Sequence, residues 1–124
     1  MRKKIVAGNW KMNTLPTEGV ELAKGVAAGR AEVCDCVNII VCPPFTHLQS
    51  VIETLKGANV AVGAQDCATE VKGAYTGEVS AQMIAALGCE YVILGHSRWI
   101  SRPVRSSKRS CLVPALRLRT SRMP

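Results

Sequence analysis

Short apolar runs alternate with longer amphipathic stretches through most of the chain. Residues 4–8, Lys-Ile-Val-Ala-Gly, predict a first strand. A helix is expected from Thr17 to about Gly29, with Thr17 as its cap and Glu18 and Glu21 near its positive end. Residues 37–41, Val-Asn-Ile-Ile-Val, predict a second strand, stopped by Cys42-Pro43-Pro44. Thr46 is placed to cap a second helix through Lys56, with Gly57 as its stop. Residues 59–63 read as a third strand, and 65–79 as a long polar, glycine-containing loop. Ser80 caps a third helix over 81–87, ended by Gly88, and Tyr91-Val92-Ile93-Leu94 reads as a fourth strand.

The order is therefore β-α-β-α-β-α-β. Nearly continuous apolar strands imply burial on both faces, hence a parallel sheet with right-handed crossovers. Sites in such folds lie beyond the carboxyl ends of the strands. Asn9 and Lys11 follow the first strand, Gln65 the third and His96 the fourth, so the polar candidates gather where that rule places them.

After residue 97 the pattern stops. Residues 98–124 contain five serines, three prolines and eight Lys or Arg, with no acid. Proline interrupts their one apolar patch, Leu112-Val113-Pro114-Ala115-Leu116, and disorder is expected. The net charge of +7 belongs to this tail, because residues 1–97 hold 8 basic and 9 acidic side chains. The basic balance therefore does not describe the body. A hydrophobic content of 48% excludes global disorder. No run approaches the roughly 18 apolar residues of a membrane helix. The apolar stretch after Met1-Arg2-Lys3-Lys4 is too short for a signal peptide, so a cytoplasmic protein is expected. Cys34, Cys36, Cys42, Cys67, Cys89 and Cys111 form no C-x-x-C pair, and we expect reduced, buried thiols, neither metal ligands nor disulfides.

Five segments, in order, resemble the N-terminal part of the triosephosphate isomerase family. They are Val6-Ala7-Gly8-Asn9-Trp10-Lys11-Met12-Asn13, Cys42-Pro43-Pro44-Phe45, Val62-Gly63-Ala64-Gln65-Asp66, Gly73-Ala74-Tyr75-Thr76-Gly77-Glu78-Val79-Ser80 and Val92-Ile93-Leu94-Gly95-His96-Ser97. The resemblance implies an α/β fold: an incomplete (β/α)8 barrel over 1–97 with about four parallel strands and three helices, followed by the basic tail over 98–124. It implies interconversion of dihydroxyacetone phosphate and glyceraldehyde 3-phosphate through an enediolate, without cofactor or metal.

Roles follow by the same resemblance. Lys11 supplies positive charge to the substrate phosphate and the developing oxyanion. Asn9 holds Lys11 and the oxyanion region. His96 is the electrophile, this family being the standard example of a neutral imidazole that polarises a carbonyl while a glutamate moves the proton. Thr76, Tyr75 and Glu78 belong to a loop that reaches a second subunit of a homodimer, and Gln65 packs near the same site. The physical need is plain: a proton beside a carbonyl is weakly acidic, so a fixed donor must stabilise the enediolate as it forms.

The resemblance ends at Arg98, where the family carries a glutamate. No acid follows Glu90, so the family's general base has no counterpart in these 124 residues. We expect a frameshifted or truncated gene product, inactive, with the edges of the first and fourth strands open to solvent. A binder of nucleic acid or an anionic surface, acting through the tail, is the alternative from another class. Trp99 is the tail's sole aromatic, and nucleic acid is not the expected partner.

Overall fold

The computed structural model describes residues 3–95 and the backbone of 113–117. Its elements are β1 (Lys4–Asn9), α1 (Pro16–Arg30), β2 (Val37–Cys42), a 3-10 turn (Phe45–His47), α2 (Leu48–Thr54), β3 (Val60–Ala64), α3 (Ala81–Leu87), β4 (Tyr91–Leu94) and β5 (Val113–Arg117). The sheet order is β1-β2-β3-β4-β5. The first four strands run parallel, as expected, and β5 pairs antiparallel with β4.

Alternation along the strands divides the sheet into two faces. Ile39, Val41, Val60, Val62, Ala64 and Val92 face the helices and pack with Ala23, Leu48, Val51, Leu55 and Ile84. Ile40, Cys42 and Tyr91 form a smaller cluster on the other face, with Ala61 and Ile93 against it. Gly63 lies between them: a Cβ there would sit 2.9 Å from Cys42 Sγ and 3.2 Å from Tyr91 Cβ. The three strands come this close because residue 63 has no side chain.

β1 is the bare member. Every residue in it is exposed, with Ile5 at 55% and Val6 at 59%. Among the described residues no strand pairs with the outer side of β1, where an open edge is expected. At β4 the expectation needs correction, because Tyr91 and Val92 pair with Arg117 and Leu116 of β5, and Leu94 with Val113. The expected disorder of 98–124 accordingly does not extend to residues 113–117; the rest of that span lies outside the described residues. Proline argues against a central strand, but an edge strand tolerates it, and the open edge of β4 offers backbone partners.

Helix boundaries shift for local reasons. α1 begins one residue before Thr17, at Pro16, whose missing N–H costs nothing in the first turn. Thr17 is not the cap; the Glu18 carboxylate accepts the Leu15 N–H at 2.7 Å. Thr46 does not cap α2 either, since its hydroxyl lies 2.8 Å from His47 Nδ1. Ser80 does cap α3, accepting the Met83 N–H at 3.2 Å, and Gly88 ends it with φ +104°.

Arg30, the last residue of α1, is buried. Its guanidinium donates to the carbonyls of Asn59 (3.2 Å) and Val33 (2.7 Å) and to the Asp35 carboxylate (3.0 Å). One side chain thus fixes the α1–β2 turn against the entry to β3. The cysteine expectation holds for Cys42 and Cys89, both buried thiols, and fails for Cys34 and Cys36, which are disulfide-bonded in an exposed turn. They lie outside the core with Cα atoms 5.2 Å apart, within the reach of a bridge. Cys111 lies outside the described residues.

Candidate functional site

The register of β1 against β2 brings Asn9 level with Cys42, at the carboxyl edge of the sheet. The chain then turns sharply. Asn9 Oδ1 accepts the Lys11 N–H at 2.9 Å, and Lys11 adopts φ +57°. Asparagine suits this turn because its side chain can bond the backbone two residues on. The Trp10 N–H donates to the Cys42 carbonyl at 3.0 Å, so the turn grows directly from the β1–β2 ladder. The Asn9 side-chain amide nitrogen makes no hydrogen bond among the described residues, leaving a donor beside Lys11.

Gln65 follows β3 and reaches across two strands. Its Nε2 donates to the Lys11 carbonyl at 2.8 Å and to the Cys42 carbonyl at 2.9 Å. A half-buried amide with both protons used this way holds the Lys11 backbone still while the side chain stays exposed. At the far end of the same loop, Thr14 has φ +71°, and its carbonyl lies 3.1 Å from Nε2 of buried His47. Gly19 of α1 crosses His47 so closely that a Cβ would fall 2.5 Å from its ring. His47 was not among the expected residues, although it anchors the segment that carries Lys11.

A cleft of about 290 Å³ opens beside this turn, lined by Lys11, Phe45, Gln65, Asp66 and Glu78 among others. The structure thus brings Asn9, Lys11, Gln65 and Glu78 to one place. Glu78 comes from the 65–79 loop, closed at its base where Ala68 N–H donates to the Val79 carbonyl at 2.7 Å. At its tip, Tyr75 N–H donates to the Gly73 carbonyl and Glu78 N–H to the Tyr75 carbonyl, both at 2.9 Å. Tyr75 and Thr76 stand exposed on that tip and do not line the cleft. His96, the expected electrophile, lies outside the described residues, directly after Gly95, which adopts φ +68°.

A larger cleft, about 780 Å³, opens at the opposite end of the sheet near Asn38, Asn59 and Tyr91, and contains none of the expected site residues. Among the described residues no three His, Cys, Asp or Glu are grouped to hold a metal ion, and no helix is long and apolar enough to cross a membrane. Burial pushes the Cys42 and Cys89 thiols up to about 11, which makes them poor nucleophiles at neutral pH.

Comparison with known proteins agrees with this arrangement. The family model described as "Triosephosphate isomerase" matches residues 4–100. A triosephosphate isomerase of Phocaeicola vulgatus is 54% identical over 97 residues, covering 78% of this chain and 39% of the relative. One of Herpetosiphon aurantiacus is 50% identical over 97 residues, covering 78% and 38%. The crystal structure of triosephosphate isomerase from Bartonella henselae superposes with a TM-score of 0.74 at 34% identity, covering 81% of this chain and 40% of that one. The chain spans about two fifths of the length of the relatives it matches. The four parallel strands are thus part of a barrel, the Asn9–Lys11 turn lies at its carboxyl edge, and the chain belongs to the triosephosphate isomerase family.

Proposed function

We propose that residues 4–97 carry the cationic and electrophilic side of a site that interconverts dihydroxyacetone phosphate and glyceraldehyde 3-phosphate. The observation that carries this reading is the double anchoring of Lys11, by Asn9 Oδ1 at its N–H and Gln65 Nε2 at its carbonyl. A lysine whose backbone is fixed on both sides presents its ammonium from a defined origin. Preorganised charge of that kind favours an oxyanion as it develops. The Asn9 amide is a second donor for a substrate oxygen, and His96, two residues after Leu94 in sequence, would polarise the carbonyl. A cytoplasmic setting fits the buried Cys42 and Cys89 thiols.

The glutamate that moves the proton in the family has no counterpart in these 124 residues, and Asp66 and Glu78, which line the cleft, belong to the 65–79 loop that this proposal assigns to a second copy. No Asp or Glu follows Glu90 in the sequence. The polypeptide of these 124 residues therefore isomerises at background on its own. Tyr75, Thr76 and Glu78 sit on an exposed loop closed at its base, a shape suited to reach a second copy, and a homodimer is part of the proposal.

A chimaera tests the reading. Residues 4–97 replace the matching segment of the Phocaeicola vulgatus relative, and isomerase activity is assayed with Lys11→Met and His96→Gln variants. An active chimaera that either substitution lowers by about 100-fold or more supports the assignment. A folded chimaera without activity, or one indifferent to both substitutions, overturns it.

A further inference from the structure

The turn between α1 and β2 holds a second chemical feature, unrelated to the Lys11 site. Cys34, Asp35 and Cys36 are all exposed, and the two cysteines are bonded to each other. The ring they close spans three residues. The Cys36 N–H lies 3.1 Å from Cys34 Sγ, and the Asp35 carboxylate between them meets Arg30 Nη2 at 3.0 Å. Arg30 is itself buried and tied to Val33 and Asn59, so the turn keeps its place through groups other than the sulfurs.

We propose that Cys34 and Cys36 form a reversible dithiol–disulfide site for exchange with small disulfides of the glutathione class. Oxidation would proceed by attack of one thiolate on the external disulfide, releasing one small thiol and leaving a mixed disulfide. The second cysteine then attacks, closes the ring and releases the other small thiol. Two protons leave the protein thiols, and the external disulfide takes the two electrons. Reduction reverses both steps. Exposed disulfides are the labile ones, and a three-residue ring constrains the unfolded chain little. Neither sulfur lies in the core, so opening the ring exposes no apolar surface. Cys42 and Cys89 are buried and excluded from the exchange.

The test equilibrates the full chain with oxidised and reduced glutathione in varied ratio, traps thiols with an alkylating agent under native conditions, and maps them by mass spectrometry. Trypsin releases residues 31–56 as one peptide, in which fragmentation separates Cys34 and Cys36 from Cys42. The expected result is joint loss of Cys34 and Cys36 alkylation as the oxidised form rises, full recovery on return to the reduced form, and no change at Cys42 or Cys89. A Cys36→Ser variant is expected to accumulate the glutathione adduct at Cys34. Three results would each overturn the proposal: both cysteines alkylated at every ratio, a ring that glutathione cannot reopen, or reaction at Cys42 or Cys89 in step with the pair.

Discussion

Nε2 of His47 lies 3.1 Å from the carbonyl oxygen of Thr14, joining two residues 33 positions apart in sequence. With Gln65 holding the Lys11 carbonyl at 2.8 Å, the loop that carries Lys11 is pinned at both ends. Neither anchor needs to touch a substrate. Each fixes backbone, and so fixes where the lysine starts.

Replacing His47 by alanine should therefore cost more than a cavity. It strips a partner from the Thr14 carbonyl and from the Thr46 hydroxyl and leaves a gap beneath Gly19. The expected loss is about 2–4 kcal/mol, read by urea unfolding. Amide exchange over residues 10–15 should quicken in the same variant. An unchanged midpoint with unchanged exchange would show that the anchor is dispensable.

Gly63→Ala should destabilise by overpacking. The new methyl would meet Cys42 Sγ at 2.9 Å and Tyr91 Cβ at 3.2 Å, with Tyr91 O at 3.3 Å. Strand backbone cannot swing aside as a flexible side chain does, so a cost of about 1–3 kcal/mol is expected. Thermal unfolding beside Gly25→Ala, where a Cβ meets nothing within 4 Å, separates packing from glycine's own effect. Equal shifts in the two variants would contradict this account of the β2–β3–β4 contact.

Arg30 and Asp35 are partners of unequal weight. Asp35 is 90% exposed, so Asp35→Asn should change stability by no more than about 0.5 kcal/mol. Arg30→Met orphans the carbonyls of Val33 and Asn59 and should cost about 1–3 kcal/mol. Comparable losses in both variants would mean that the ion pair, and not the carbonyl clamp, holds the turn.

Alkaline pH should weaken the fold through two buried thiols. Burial raises Cys42 from 9.0 to about 11, and burial with the neighbouring Cys42 does the same for Cys89. Below pH 9 both folded and unfolded chains keep these protons, and the contribution is fully present. Between 9 and 11 the unfolded chain releases them first, so stability falls as pH rises, and the fall levels off above about 11. Urea midpoints from pH 8 to 11 should decline less steeply in Cys42→Ala than in the parent. Parallel slopes would remove Cys42 from the explanation.

Much of this structure is legible in the sequence, and the exceptions have local causes. β2 to β4 announce themselves because their apolar runs are nearly unbroken, as buried parallel strands require, and β1 carries the same pattern although every one of its residues is exposed. Asn9, Lys11 and Gln65 stand out because each follows such a run. β5 could not be read from its own residues: Pro114 breaks the pattern, and only the open edge of β4 supplies a reason to pair. Thr46 fits a cap by residue type, but its hydroxyl is claimed by the ring beside it. His47 left little trace. Its one clue is Gly19 inside a helix, and Gly25 and Gly29 in the same helix touch nothing, so the clue does not single it out. The Cys34–Cys36 bridge has no signature in the sequence, because two cysteines one residue apart match none of the spacings that mark metal or redox motifs.

The measurement that bears most directly on the central claim is the isomerase rate of the purified 124-residue chain, coupled to a dehydrogenase, beside its His96→Ala variant. The proposed half-site, Lys11 and His96 without the family's glutamate, predicts rates at background for both. A rate above background that His96→Ala removes would contradict the account, because some group in this chain would then be moving the proton.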